Sequence, residues 1–278
     1  MKTPLTVSSH FAVLGSPIGH SKSPLLHRAA IAALGIDADY SAFEVNESYF
    51  QQFVTSRGLE DVGFSLTMPL KHVARSVVTS ECRTSALTGA INTIVRAPDG
   101  WHGFNTDVWG AQTAIAQSLG THFASAALLG AGATASSLVV ALHGLGVRQL
   151  AVLARDESRA QSVVELARHL GMSTKFSELG SESVQADLLV NTLPGSVQLD
   201  TVTIDDLDAG ALFDVVYDPW PTHLSREWTA RGLPSSNGLT MLLWQAVRQA
   251  RVFYGDGVDE ELPNESLVVT AMRSAVGL

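Results

Sequence analysis

The chain is poor in cysteine, in lysine and in charge of either sign. Its single cysteine, Cys82, excludes an internal disulfide and a cysteine-based zinc cluster, and fits a reducing compartment. Charged residues make up only 16% of the sequence, against about 25% in an average globular chain. Acids outnumber bases 27 to 18, for a net charge of −9, and only Lys2, Lys22, Lys71 and Lys175 are lysines. That balance leaves no basic face for general nucleic-acid binding and none for lying on an anionic membrane. From Val108 to Val147 there is no charged residue at all. Gly110, Gln112, Thr113, Gln117, Ser118 and His122 interrupt that stretch, so it lacks the apolar run a membrane helix needs. Met1–Phe11 has no apolar core of signal-peptide length, and the expectation is a soluble cytoplasmic protein.

What is present is ample apolar material. With 278 residues and 46% hydrophobic content, the chain can bury a full core and build two domains. The first hundred residues alternate strand and helix patterns. Ala12–Leu14 reads as a strand, and Ser23-Pro24 as a helix start with Ser23 as N-cap and Gly35 as the stop. Tyr40–Val45 and Val62–Met68 read as further strands. Ile91–Arg96 and Trp101–Asn105 flank Pro98-Asp99-Gly100, a hairpin signal. After Asp107 the pattern changes to a connecting helix, Val108–Leu119, followed by strands Ala126–Leu129, Gln149–Ala154, Asp187–Asn191 and Leu212–Tyr217. Helices Ala133–Leu145 and Glu157–Leu170 lie between them, and Leu239–Phe253 and Glu261–Ala275 end the chain. Strands alternating with helices of this length predict a parallel, doubly wound sheet.

The apolar strand Ala127-Leu128-Leu129 runs into Gly130-Ala131-Gly132-Ala133-Thr134-Ala135, a Gly-x-Gly-x-x-Ala turn. The first glycine permits the tight turn, the second admits a pyrophosphate, and the small third residue lets helix pack on strand. Free N–H groups and the helix dipole there favour an anion. At the end of the next strand stand Ala154-Arg155-Asp156, with Arg159 a turn later. Arg155 suits the 2′-phosphate of NADP, because its planar fork donates two hydrogen bonds. Asp156 opposes this if it points inward, and caps the helix if it does not.

Four polar segments occupy predicted strand ends: Gly19-His20-Ser21-Lys22-Ser23-Pro24, Ser65-Leu66-Thr67-Met68-Pro69-Leu70-Lys71, Gly89-Ala90-Ile91-Asn92-Thr93 and Gly103-Phe104-Asn105-Thr106-Asp107. Their hydroxyls, amides, lysine and carboxylate suit a small polyhydroxylated, carboxylated ligand. With Tyr217-x-Pro219-x-x-Thr222-x-Leu224 and Gly238-x-x-Met241-Leu242-x-x-Gln245 added, the chain resembles the shikimate dehydrogenase family over residues 12–254, in the family's order and spacing.

The resemblance implies two α/β domains. One is a discontinuous N-terminal substrate domain, 1–107, completed by helices within 239–278. The other is a Rossmann-type NADP-binding domain, 108–238. It implies reduction of 3-dehydroshikimate to shikimate with NADPH, in aromatic amino-acid biosynthesis, with no metal and no nucleic-acid or membrane partner, as a monomer or homodimer. His20 and His27 have no third ligand at metal-binding spacing. Carried over residue by residue, Ser21 and Ser23 bind the carboxylate, and Tyr217 lies near it. Thr67, Asn92 and Gln245 bind ring hydroxyls, and Lys71 and Asp107 are the catalytic pair. Gly130, Ala131, Gly132, Ala133, Thr134, Ala135, Arg155, Arg159, Gly238 and Met241 serve the cofactor. Hydride delivery to a ketone leaves a developing alkoxide, which an ammonium such as that of Lys71 can stabilise and protonate. The sequence departs from the family at Ser65-Leu66-Thr67, where Asn-Val-Thr is usual, and at Ala154-Arg155-Asp156, where Asn-Arg-Thr is usual. Three other readings remain: a quinate/shikimate dehydrogenase that uses NAD, a non-catalytic nucleotide-binding paralogue, and a secondary-metabolism paralogue acting on an amino-substituted ring.

Overall fold

A computed structural model describes residues 9–197, 199 and 204–278, so most of Met1–Phe11 lies outside the described residues. The chain divides into two units, Met1–Thr106 with Leu242–Leu278, and Asp107–Met241.

In the first unit, strands β1 (Ser9–Gly15), β2 (Ala38–Glu44), β3 (Asp61–Leu66), β4 (Val78–Glu81), β5 (Thr93–Ala97) and β6 (Gly100–Phe104) form a mixed sheet in the order β2-β1-β3-β5-β6-β4. β1 pairs in parallel with β2 and β3, whereas β5 runs antiparallel to both β3 and β6. Successive side chains alternate between the two faces. On β1, Ala12 and Leu14 join Phe64 and Leu66 of β3 on one side. Phe11 and Val13 join Val62 on the other. Helix α1 (Ser23–Leu34) brings Ile31 to the second face, α2 (Glu47–Thr55) brings Phe50, Phe53 and Val54 to the first, and the short α3 (Arg83–Thr88) follows β4.

In the second unit, α4 (Asp107–Ser118) precedes β7 (Ser125–Leu129), α5 (Ala133–Gly144), β8 (Gln149–Ala154), α6 (Glu157–His169), β9 (Ser173–Glu178), β10 (Val184–Asn191), β11 (Leu207–Asp214), α7 (His223–Ala230) and β12 (Ser235–Asn237). The order β12-β11-β10-β7-β8-β9 is all parallel and reverses at β7, as the doubly wound reading requires. Both faces of its central strands are covered. Leu128, Val152 and Val190 pack with α5 and α6 on one side, and Leu129, Leu153 and Leu189 with Trp228 of α7 on the other. A strand buried on both faces has no position for a charge, which accounts for β7 and α5 within the charge-free stretch. No helix among the described residues is long and apolar enough to cross a membrane.

Helices α8 (Gly238–Tyr254) and α9 (Glu265–Val276) end the chain. Several boundaries differ from the sequence reading. Ser23 is not the N-cap of α1: Lys22 is, and its carbonyl accepts from the N–H groups of Leu25 and Leu26, so the first turn closes one residue earlier. β11, read from the sequence as Leu212–Tyr217, starts at Leu207. It ends at Asp214, whose carboxylate takes the N–H of Val216 and bends the chain away. α9 begins at Glu265 rather than Glu261, after Pro263 and an N-cap Asn264 with left-handed φ of 51°. β4 and β9 carry polar, alternating sequences without an apolar run, and α7 lacks one too, so the sequence reading omitted all three.

Arg251 of α8 grips Glu265 at the start of α9 with two hydrogen bonds, of 2.7 and 2.5 Å, and both side chains are nearly buried. Burial alone would raise the Glu265 carboxyl. The bonds from Arg251 and the Leu262 N–H, with the Arg251 charge, hold it below its ordinary 4.5 instead. The pair therefore stabilises the fold above that pH and loses its effect as the carboxylate protonates. Arg251→Ala lowers the unfolding free energy by about 2 kcal/mol at pH 7 in denaturant titrations, with a smaller difference below pH 4. Equal stability at pH 7 would contradict this anchoring.

Candidate active site

In the first unit the candidate residues leave the sheet at one edge. β1 and β3 are parallel and in register, Leu14 against Leu66, so the loops that follow them emerge side by side. They are clasped by backbone bonds: Ser16 N–H to the Met68 carbonyl (3.0 Å) and Thr67 N–H to the Leu14 carbonyl (2.9 Å). The first loop carries Ser21, whose Oγ accepts the N–H of Ser23 at 3.3 Å. The second carries Thr67 and Lys71, and the Lys71 carbonyl accepts the N–H of Ile91 at 2.8 Å. This ties the lysine's backbone to the third segment. There Asn92 sits just before β5. Its carbonyl accepts from Leu66 N–H (2.7 Å), and its own N–H donates to Phe104 at the end of β6 (3.0 Å). Asn92 is thus sewn between two strand ends, and it is only 1% exposed.

The Asn92 side chain is held as firmly. Its Oδ1 accepts the N–H of Thr106 at 2.9 Å, which fixes the amide orientation, because a backbone N–H can only donate. Its Nδ2 then donates to Thr106 Oγ1 (2.8 Å) and to Gln245 Oε1 of α8 (3.4 Å). Behind it lies a buried polar chain. Tyr40 donates to Ser65 Oγ (2.7 Å), which donates to Gln249 Oε1 (2.8 Å). His27 stacks on Tyr40 at 4.3 Å and places Nε2 3.1 Å from Gln249 Oε1 and Nδ1 3.1 Å from the Tyr254 hydroxyl. Burial pushes the Tyr40 and Tyr254 hydroxyls up, so both remain donors. Burial pushes His27 down to about 4, against the Gln249 bond that favours its charged form. The ring is neutral at pH 7 and carries its proton on Nε2, facing the Gln249 oxygen.

In the second unit the glycine turn is built as its spacing predicts. Gly130 has a left-handed φ of 98°, and a Cβ there would meet Thr192 Oγ1 at 2.5 Å. A Cβ on Gly132 would meet nothing within 4 Å, leaving its backbone open to a ligand. Ala135 is fully buried, so helix and strand pack closely. Gly132 caps α5 without a side-chain bond, and Ala133 and Thr134 open its first turn, whose N–H groups face the helix N-terminal end. One cavity joins this turn to the second strand end. It is lined by Gly130, Ala131, Gly132, Arg155, Asp156 and Arg159, with Leu179 and Leu193-Pro194 completing it. The Asp156 carboxylate caps α6. Bonds from the Ser158 hydroxyl and N–H (2.7 and 2.8 Å) hold it below the usual carboxylate range. It also lies 3.9 Å from Arg159. Asp156 is therefore engaged with its own helix, while Arg155 stands exposed on the cavity.

Buried Asp214 accepts from Asn191 Nδ2 (3.0 Å), Thr222 Oγ1 (2.8 Å) and Val216 N–H, and so shapes the loop that carries Tyr217. Gly238 opens α8 against the backbone of Val215, 2.0 Å from where a Cβ would stand, so no larger residue fits. Met241 packs in the core of this unit, and Asp107 is the buried first residue of α4. The sequence reading missed Gln249 and Tyr40 behind Asn92, and Leu193-Pro194 in the cavity beside the glycine turn. The rule that ligands sit beyond the carboxyl ends of parallel strands would have found Leu193-Pro194, which follow β10. Among the described residues no group of three or more His, Cys, Asp or Glu could hold a metal ion.

Residues 13–94 match the family model described as shikimate dehydrogenase substrate binding domain. The chain is 35% identical over 260 residues to a shikimate dehydrogenase (NADP(+)) of Methylobacterium radiotolerans, which covers 87% of this chain and 90% of that protein. Among solved structures it resembles the shikimate dehydrogenase of Mycobacterium tuberculosis, with a TM-score of 0.81, 33% identity and coverage of 96% and 99% of the two chains. It also resembles the Thermus thermophilus enzyme in complex with NADP(H) and shikimate, with a TM-score of 0.80, 30% identity and the same coverage.

The neutral, buried His27 makes a testable contribution to pH stability. In the unfolded chain the imidazole takes up a proton below about 6.5, while the folded chain refuses it until about 4. Stability therefore falls as pH drops through that window, by up to about 1.4 kcal/mol per pH unit from this residue. Unfolding titrations from pH 7 to 4.5 are expected to show a shallower decline for His27→Gln than for wild type. Parallel declines would contradict the assignment.

Proposed function

The chain belongs to the shikimate dehydrogenase family, and we propose that it catalyses the reversible, NADP-dependent reduction of 3-dehydroshikimate to shikimate. The observation that carries this reading is the buried amide and hydroxyl cluster around Asn92, at the sheet edge where the loops of Ser21, Ser23, Thr67 and Lys71 emerge. A cluster of neutral donors and acceptors with one lysine beside it suits a carboxylated ring bearing several hydroxyls.

Ser21 and Ser23 take the substrate carboxylate, with Tyr217 on the same side. Thr67, Asn92 and Gln245 take ring hydroxyls and set the ring's orientation. NADPH supplies the hydride. The Lys71 ammonium stabilises the negative charge that develops on the carbonyl oxygen and delivers the proton to it. Asp107 accepts a hydrogen bond from a substrate hydroxyl. The N–H groups at the start of α5, over Gly130–Ala135, take the pyrophosphate, and Arg155 with Arg159 takes the 2′-phosphate. The open space at Gly132 supports this fit, and Ser158 and Arg159 engage the Asp156 carboxylate, which lines the same cavity. Gly238 and Met241 serve the nicotinamide side. The reaction draws on the NADPH of the cytoplasm, where we place the protein, as a monomer or homodimer.

Purified protein given shikimate or quinate, each with NADP or NAD, tests the reading through the absorbance of the reduced nicotinamide. The highest kcat/KM is expected with shikimate and NADP. A higher value with quinate and NAD would reassign the enzyme, and no turnover with any pair would leave a nucleotide-binding protein without this activity. Lys71→Ala is expected to lower kcat by about 10²–10⁴-fold with little change in KM, and a wild-type kcat would remove Lys71 from the mechanism. Arg155→Ala is expected to raise KM for NADP about tenfold and leave KM for NAD unchanged, whereas an equal effect on both would contradict the phosphate role.

A further inference from the structure

We infer that Gln249 is a positioning residue: its amide fixes how Asn92 is presented to the substrate's ring hydroxyls, an inference that rests on the functional reading above. Gln245 and Gln249 lie one helical turn apart on α8 and project from one face. Gln245 meets the Asn92 side chain, and Gln249 meets its backbone. Gln249 Nε2 donates to the Asn92 carbonyl (3.1 Å) and to Thr93 Oγ1 (3.0 Å). The carbonyl can only accept, so the orientation of the Gln249 amide is fixed. Its Oε1 then faces Ser65 Oγ at 2.8 Å and His27 Nε2 at 3.1 Å, so every hydrogen-bonding position of the amide is matched. Gln249 is only 1% exposed.

The consequence reaches Asn92 through Thr93. With Gln249 donating to it, the Thr93 hydroxyl turns its own proton to Asn92 Oδ1 at 2.8 Å. Together with the Thr106 N–H, this makes Oδ1 the acceptor and Nδ2 the donor, whose long 3.4 Å bond to Gln245 Oε1 is the one a ring hydroxyl takes over. An apolar residue at 249 would free the Thr93 hydroxyl to rotate and remove one of the two donors that reach the Asn92 carbonyl, in a place too buried for water to substitute. Neither His27 nor Tyr40 touches Asn92 in this chain of bonds. Gln249 is the link that gathers them.

Steady-state kinetics on wild type, Gln249→Met, Thr93→Val and the double variant test this, with melting curves on the same samples. Gln249→Met is expected to raise KM for shikimate about tenfold or more and to lower kcat, with KM for NADP within about twofold of wild type. The double variant is expected to lose less than the product of the single losses, because both act through Asn92. A lowered melting temperature with unchanged kinetic constants in the folded fraction means a purely structural role and overturns the inference. If Gln249→Met does not fold, Thr93→Val carries the test alone: a raised KM for shikimate supports the inference and an unchanged one overturns it. Wild-type protein inactive on shikimate overturns this inference and the functional reading together. Active wild type with an unaltered Gln249→Met overturns the inference only.

Discussion

A side chain that must recognise hydroxyl groups and yet lie inside a sheet imposes a strict condition: each of its donors and acceptors has to be matched, or burial costs more than the contact returns. Asn92 meets that condition. Its backbone joins the ends of β3 and β6, and its side chain is oriented by the Thr106 N–H, a group with only one way to bond. The rest of the first unit is arranged around this residue. The antiparallel entry of β5 places Asn92 beside the carboxyl ends of β1 and β3, so the loops of Ser21, Thr67 and Lys71 share its edge. α8 lays Gln245 and Gln249 against it. Behind these, aromatic and hydroxyl groups from α1, β2 and β3 close the network without any charge, and burial keeps His27 neutral among them.

The second unit answers the opposite problem. An acidic chain proposed to bind an anionic dinucleotide has to do so with local devices. The parallel sheet is covered on both faces and therefore excludes charge from its strands. The groups it offers an anion are the N-terminus of α5, where glycines keep the backbone bare, and Arg155 and Arg159 at the neighbouring strand end. Asp156 at that end is drawn into a helix cap and an ion pair. The charge-free stretch and the clustered arginines belong to one arrangement.

Much of this architecture was legible in the sequence. The doubly wound sheet announced itself through runs such as Ala126–Leu129 and Gln149–Ala154, because burial on both faces leaves continuous apolar residues. The hairpin at Pro98-Asp99-Gly100 was equally plain, and β5 and β6 pair across it. Edge strands β4 and β9 escaped because one exposed face lets polar residues in. The cap of α1 was misread because a serine before proline suits a cap, whereas the carbonyl of Lys22, which has no capping side chain, closes the first turn. The segments that carry the candidate site residues stood out as polar stretches at predicted strand ends. Their supports did not. Gln249 and Tyr40 lie far apart in sequence and resemble ordinary polar residues until folding joins them through Ser65.

The central claim is that the amide and hydroxyl edge of the first unit, with Asn92 at its middle, is where the substrate ring binds. A crystal structure of the protein with shikimate tests it most directly. The account predicts ring hydroxyls within hydrogen-bonding distance of Thr67, Asn92 and Gln245, and the carboxylate against Ser21 and Ser23. Shikimate bound elsewhere, or bound there with Asn92 making no contact to it, would contradict the account.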